Sequence, residues 1–374
     1  MEEYHYLLDL ALILLTTKLF GLISQKFKMP QVVGALLAGL ILGPAVLNIV
    51  QKSNFITTTS EIGVIILMFC AGLETDVKEL KKCGKASFVI ALLGVIAPLL
   101  GGFGVAYFFN QPGIIDSGAT CNVFLQNVFI GVILTATSVS ITVETLKELG
   151  KLKSESGNAI LGAAIIDDIL GIIALTVITS LADSSVNVWM VLLKILGFFA
   201  MVVVAGFAFY KLYVWWANRS KHLKHRHAII CFVFCLGMSY AAEALFGVAD
   251  ITGAFFAGLI ISLTQSSEYL AKKFDVLSYL LLSPIFFASI GLNVVLPSMS
   301  VQIIVFAVVI TIVAIITKVI GCGLGAKICG YKNYQCKRIG IGMISRGEVA
   351  LIVANKGASM GLLGSVMLGP IVIM

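Results

Sequence analysis

Charge is what this 374-residue chain has least of. Asp, Glu, Lys and Arg make up 12% of it, against 59% hydrophobic residues. Soluble domains carry about 25% charged residues, so an ordinary globular enzyme is excluded and an integral membrane protein is required. Proline is scarce too, at 7 residues, while glycine numbers 36, a balance that suits closely packed or locally broken membrane helices. The cysteines (70, 83, 121, 231, 235, 322, 329 and 336) show no CxxC or other metal-ligand spacing. Most lie in apolar runs, where Cys packs as a small hydrophobe. A cleavable signal peptide is not expected, because the chain opens on acidic Glu2 and Glu3 and lacks a small-residue cleavage site. Nor is the net charge of +7 a nucleic-acid footprint, since its location in the loops accounts for it.

Apolar runs predict about thirteen membrane spans: 6–25, 31–50, 61–75, 86–109, 122–143, 156–181, 188–217, 228–246, 249–264, 276–293, 301–328, 337–356 and 361 onward. Alternate loops then sort by charge. One set holds Lys26 and Lys28, Lys78 to Lys85, Lys147 to Lys153, Arg219 to Arg226, Lys272 and Lys273, and Lys327 to Arg338. The other holds only Lys52 and Lys356. By the positive-inside rule the basic loops are cytoplasmic and the N-terminus is outside. The last run is short for a full crossing, so the chain is expected to stop within a helix.

An internal repeat is visible. Gly34 to Ile41 (GALLAGLI) matches Gly253 to Ile260 (GAFFAGLI) at an offset of 219 positions, and Gly72-Leu73 falls on Gly291-Leu292 at that same offset. The matched spans are the second and the ninth. An odd separation places the copies upside down, the inverted repeat of alternating-access transporters. Residues 1–181 form the first repeat, 188–217 a linking helix and 228–374 the second, within one membrane unit.

The few charges inside the spans are the candidate functional residues. Asp167 and Asp168 interrupt Ala159 to Ser180 (AILGAAIIDDILGIIALTVITS). A carboxylate at the bilayer centre costs about 3 kcal/mol on insertion scales. Two adjacent ones survive only when facing water, a countercharge or a passing cation. Lys318 lies too far from either end of its span to snorkel easily, and repeat symmetry makes nearness to the Asp pair expected. Five hydroxyls fall within Thr135 to Thr142 (TATSVSIT). Hydroxyl and freed carbonyl oxygens are hard ligands suited to small cations, and Thr137 and Ser138 are candidates; helix-to-helix hydrogen bonding is the other reading. Arg346 and Glu348, flanking Gly347, favour a helix break whose end dipoles they neutralise. His222, His225 and His227 are expected to lie in a solvated basic loop. Glu74 is expected at a cytoplasmic span end.

Together MPQVVGALLAGLILGP, EIGVIILMFCAGLETD, TATSVSITVETLKELG, AAIIDDILG and GMISRGEVALIVANKG resemble the monovalent cation:proton antiporter-2 family, its bacterial germination and thermophile-type sodium/proton exchangers. The resemblance covers essentially the whole chain. It implies an all-α, thirteen-helix inverted-repeat fold with a dimerisation domain and a mobile core, in a multi-pass bacterial cytoplasmic-membrane protein. Two unwound, crossing helices would lie around Thr137 and around Arg346 to Glu348. Asp168 would carry Na⁺ or H⁺, and Asp167 would pair with Lys318. The implied activity is electrogenic exchange of Na⁺, or Li⁺, for H⁺ by a homodimer without a cofactor. Exchange or efflux of K⁺ is the alternative, and a non-antiport solute transporter a more distant one. A channel is disfavoured because no filter-like loop appears. An intramembrane aspartyl protease needs Asp residues on separate helices, so no enzyme is expected.

Overall fold

The computed structural model describes residues 5–51, 53–75, 77–111, 114–115, 119, 121–182, 188–219, 224–294 and 300–373. Lys52, Asp76 and His222 lie outside the described residues, as do the side chains of His225 and Glu348. Helices fall on all thirteen apolar segments, and no strand occurs among the described residues. Among those residues, nine helical segments are long and apolar enough to cross a bilayer as they stand. The molecule is an all-α membrane protein.

Contacts divide the chain into two units, each drawing on both halves of the sequence. The first comprises Met1–Glu79, Val143–Lys153 and Trp189–Val294. It holds α1 (His5–Lys26), α2 (Gln31–Leu42), α3 (Asn54–Glu74), α8 (Val188–Arg219, nearly all of it), α9 (Lys224–Tyr240), α10 (Asp250–Ser262), α11 (Ser267–Leu277) and α12 (Ser283–Leu292). Two π-helical stretches, Ala241–Phe246 and Ser278–Leu282, follow α9 and α11. The second span ends at Leu42 instead of running to position 50. Gly43 precedes Pro44, whose ring disfavours helical backbone at the residue before it, and Asn48 takes a positive φ in the turn that follows.

The repeated glycines sit where helices meet without side chains between them. A Cβ on Gly258 of α10 would overlap the carbonyl of Phe69 on α3, and one on Gly39 of α2 would overlap the carbonyl of Ala288 on α12. Gly72 meets Phe255 O and Leu259 N, while Gly291 meets Leu36 O and Leu40 N. Every residue in one set lies 219 positions from its counterpart in the other. Glycine is required at these positions because backbone lies against backbone.

The second unit comprises Leu80–Thr142, Ser154–Val188 and Val295–Met374. It contains most of α4 (Val77–Phe109), α5 (Val123–Thr135), the start of α6 (Val139–Glu148), α7 (Glu155–Ala182), α13 (Val301–Ile328), α14 (Asn333–Gly342), α15 (Glu348–Ser359) and α16 (Ser365–Ile373). Its core packs Phe129, Ile133, Leu134, Phe306, Ile310 and Leu362. Two apolar segments are broken in mid-course. The fifth opens at 136–138, between α5 and α6, and the twelfth at 343–347, between α14 and α15. Backbone in such breaks has lost its i→i−4 partners, so burial is tolerable only where other groups satisfy it.

Candidate ion-binding site

The two breaks satisfy each other. Ser138 N–H donates to Ser345 O at 3.0 Å, and Ser345 Oγ donates to Ser138 O at 3.0 Å. Thr142 Oγ1 lies 2.6 Å from Ser345 Oγ. Ser138 also caps α6, its Oγ accepting from Ile141 N–H at 3.3 Å. Local sequence explains both openings: hydroxyl residues offer the backbone alternative partners, and Gly347, packed on Ser138 Oγ, leaves no side chain to separate the two crossing segments.

The break ends α5 and leaves its last carbonyls without helical partners. Two cations take them. Lys318 Nζ donates to Thr135 O at 2.8 Å, and an Arg346 Nη donates to Leu134 O at 2.8 Å. Arg346 also holds Ile344 O at 3.1 Å. Positive charge at a helix C-terminus is the favourable sense of the macrodipole.

Lys318 turns its remaining donors on Asp167, with Nζ 2.9 Å from Oδ1 and 3.1 Å from Oδ2. Lys318 is 0% and Asp167 2% exposed. In water such a pair is worth little. Here each member removes the uncompensated charge of the other, and the ammonium has three donors for three acceptors. Asp168, one residue on and about 100° round α7, is partly buried, with Oδ1 shielded from solvent. Thr137 is 1% exposed, and its hydroxyl has no hydrogen-bond partner among the described residues. A buried hydroxyl without a partner is costly in a bare apolar site. Two carboxylates, Asp167 and Asp168, and two cations, Lys318 and Arg346, thus gather at the crossing.

The structure thus joins Lys318 to Asp167 and places Ser138 and Arg346 in the crossing. Glu348 begins α15, but its side chain lies outside the described residues. Sequence reasoning missed the roles of Ser345 and Thr142, whose signal was a serine beside Arg346 and a hydroxyl-rich run. It also missed a buried amide cluster: Asn110 donates to Gln126 Oε1 at 3.0 Å and to Asn127 Oδ1 at 2.9 Å. Its signal was the pair Gln126-Asn127 inside an apolar span.

Two other placements differ or add detail. His227 is not in a solvated loop. It lies in α9, 5% exposed, with its ring 4.4 Å from that of Trp216, because the aromatic end of α8 offers apolar cover. Glu74 is the last residue of α3 and pairs with Lys147 at 3.3 Å; Lys147 also contacts Asp275.

A polytopic α-helical bundle with a buried, charge-bearing crossing of two broken helices is the architecture of a secondary transporter. A family model described as sodium/hydrogen exchanger, transmembrane, matches residues 11–374. The chain belongs to that family. It is 41% identical over 366 residues to the Na(+)/H(+)-K(+) antiporter GerN of Bacillus cereus, spanning 96% of this chain and 90% of that one. It is 38% identical to a Na(+)/H(+) antiporter of Enterococcus hirae, covering 97% of this chain and 92% of that one. The structure of the sodium proton antiporter MjNhaP1 from Methanocaldococcus jannaschii matches with a TM-score of 0.69 over 100% of this chain and 94% of that chain. At 19% identity, that likeness concerns the fold.

Proposed function

We propose that this chain is a secondary active antiporter exchanging Na⁺ or Li⁺ for H⁺ by alternating access. The observation that carries the reading is the buried Lys318–Asp167 pair beside Asp168, at a crossing where helix-end carbonyls are held by cations. Family membership and relatives named as Na(+)/H(+) antiporters support it.

The mechanism follows from competition. Asp168, ionised, holds a dehydrated cation, and the unpartnered Thr137 hydroxyl supplies an oxygen toward it, with Ser138 in the same opened segment. Protonation of Asp168 cancels the charge that held the cation and releases it. Asp167 does not need the cation, because Lys318 already neutralises it. Release of the Lys318 proton when Asp167 changes partner would add a second proton to the cycle and make exchange electrogenic. Arg346 stabilises the crossing through Leu134 O and Ile344 O. The ion-bearing unit then carries its site as a body, making the move when Asp168 holds the cation or the proton and resisting it when Asp168 holds neither.

The inverted repeat belongs to the same reading. It is supported by the glycine contacts, where Gly39 on Ala288 and Gly258 on Phe69 are one packing repeated at a single offset. The orientation with N-terminus outside, residence in a bacterial cytoplasmic membrane and a homodimeric state complete the proposal. They rest on the basic loops and the resemblance. Transport of K⁺ is a second reading, favoured by the relative whose name includes K(+).

Proteoliposomes with an imposed pH gradient test the proposal, with Na⁺, Li⁺ and K⁺ added in turn and Asp168→Asn as control. Collapse of the gradient by Na⁺ or Li⁺, absent in the variant, is expected. Collapse by K⁺ alone would move the assignment to potassium exchange, and no response to any cation would remove it.

A further inference from the structure

A cavity of about 230 Å³ lies wholly within the first unit, walled by α1, α2, α12, the π-helical stretch before it and the residue Glu144 of α6. Most of its wall is apolar, but two opposite charges line it, Lys18 and Glu144.

Both charges, among the described residues, keep capacity for a ligand. Among the described residues, Glu144 makes no hydrogen bond or ion pair, and its neighbour Lys147 is occupied by Glu74 and Asp275. Lys18 Nζ donates to Tyr279 Oη at 2.5 Å and lies 5.0 Å from the centre of that ring. An ammonium has three donors, so two remain. A metal cation drawn to Glu144 would meet Lys18, and a simple anion drawn to Lys18 would meet Glu144. The complement of this wall is a molecule bearing both charges and an apolar body.

Position narrows the class. Gln31, on the cavity wall, is the first residue of α2, and Glu144 lies one turn before the end of α6. The cavity is therefore near one membrane boundary, the level of lipid headgroups. Its wall reaches the outer surface at Tyr279, 49% exposed, and Leu280, 63% exposed. On α1, Leu15, Leu19 and Leu22 are each half-exposed or more and flank Lys18 along the helix. An apolar surface of this kind on a membrane protein is covered by acyl chains.

We propose that this cavity binds the zwitterionic headgroup of an ethanolamine phospholipid, Glu144 accepting from its ammonium and Lys18 donating to its phosphate. A primary ammonium suits Glu144 because it donates charge-assisted hydrogen bonds. Choline has no N–H to give, and the aromatic face that would attract it, Tyr279, already carries Lys18.

The test is lipid binding by the whole detergent-solubilised chain, read by native mass spectrometry and by thermal unfolding. Added lipids are phosphatidylethanolamine, phosphatidylcholine and phosphatidylglycerol of one chain composition, with soluble phosphoethanolamine as competitor. Ethanolamine lipid should bind roughly tenfold tighter than choline lipid, the worth of one charge-assisted hydrogen bond. Glu144→Gln should erase that preference while binding of phosphatidylglycerol is kept or rises. Glu144→Asp should restore part of it. Lys18→Met should weaken all three lipids together, which keeps the assignment testable if a Glu144 variant folds poorly. Equal binding of ethanolamine and choline lipids by the unmodified protein would overturn the proposal, as would an ethanolamine preference unchanged in Glu144→Gln. Binding of soluble phosphoethanolamine without the lipid would overturn the lipid as the source.

Discussion

Lys318 spreads its ammonium across both oxygens of Asp167, at 2.9 and 3.1 Å, with neither side chain reaching solvent. The pair is a neutral element built from two charges that could not be buried separately. Its third donor holds the end of α5 at Thr135 O, so the same lysine joins α13, α7 and the edge of the helix break.

That geometry predicts strong coupling. Removing either partner alone leaves a buried charge and should cost about 3–5 kcal/mol. Lys318→Met and Asp167→Asn should each lower the unfolding midpoint sharply, and the double variant should cost much less than the sum of the two. A thermal double-mutant cycle in detergent reads this, and additive losses would mean that the two side chains do not act as a pair. Asp167→Ala is also expected to keep exchange while making it electroneutral, seen as loss of its dependence on membrane potential.

Asp168 predicts a different result. Its variant Asp168→Asn leaves the Lys318–Asp167 pair intact, so unfolding should change by no more than about 1 kcal/mol, while cation-dependent proton flux disappears. In the unmodified protein, cation and proton compete for one carboxylate. Below the carboxyl's own pKa, each unit of falling pH should raise the half-saturating Na⁺ concentration about tenfold. A half-saturation value indifferent to pH would refute the competition.

The crossing depends on Ser345. Ser345→Ala deletes a 3.0 Å bond to Ser138 O and the 2.6 Å contact with Thr142, and should cost about 1–3 kcal/mol for the buried groups left behind. Because Thr137 and Ser138 are positioned by that stitching, the half-saturating Na⁺ concentration should rise more than maximal flux falls. Flux titrations of the variant decide between this and a purely structural role, which would lower maximal flux without moving half-saturation.

Glycine substitutions separate packing from conformational freedom. Gly258→Ala and Gly72→Ala would drive a methyl into backbone on the facing helix, and each should destabilise by at least about 1–3 kcal/mol. Gly237→Ala, in α9 with nothing near its would-be Cβ, should be neutral or stabilising by up to about 1 kcal/mol, since alanine has the higher helix propensity. Equal effects at both kinds of position would show that the close contacts contribute little.

Several features are legible in the residues alone. The thirteen segments follow from hydropathy because a helix is the economical way to satisfy every backbone group inside a bilayer. The Asp pair and Lys318 stand out because charge is rare in these spans. The helix break at 343–347 is marked by Arg346, Gly347 and Glu348, whereas the one at 136–138 follows from the family resemblance. His227 misleads because three histidines among lysines look like loop, and only packing against Trp216 shows otherwise. Ser345 escapes notice because a single serine carries no pattern; its partners lie about two hundred positions away.

By itself, then, the sequence determined that this is a many-spanning membrane protein, where its helices run and which few charges it buries, since each follows from the cost of placing polar groups in hydrocarbon. Its repeated glycines marked places where something must come close. Only the tertiary structure decided what does: Phe69 against Gly258, Ser345 against Ser138, and Lys318 against both Asp167 and the carbonyl of Thr135. Those relationships are distances between residues remote in the chain. They are set by which helices pack together, and no local pattern of residues encodes them.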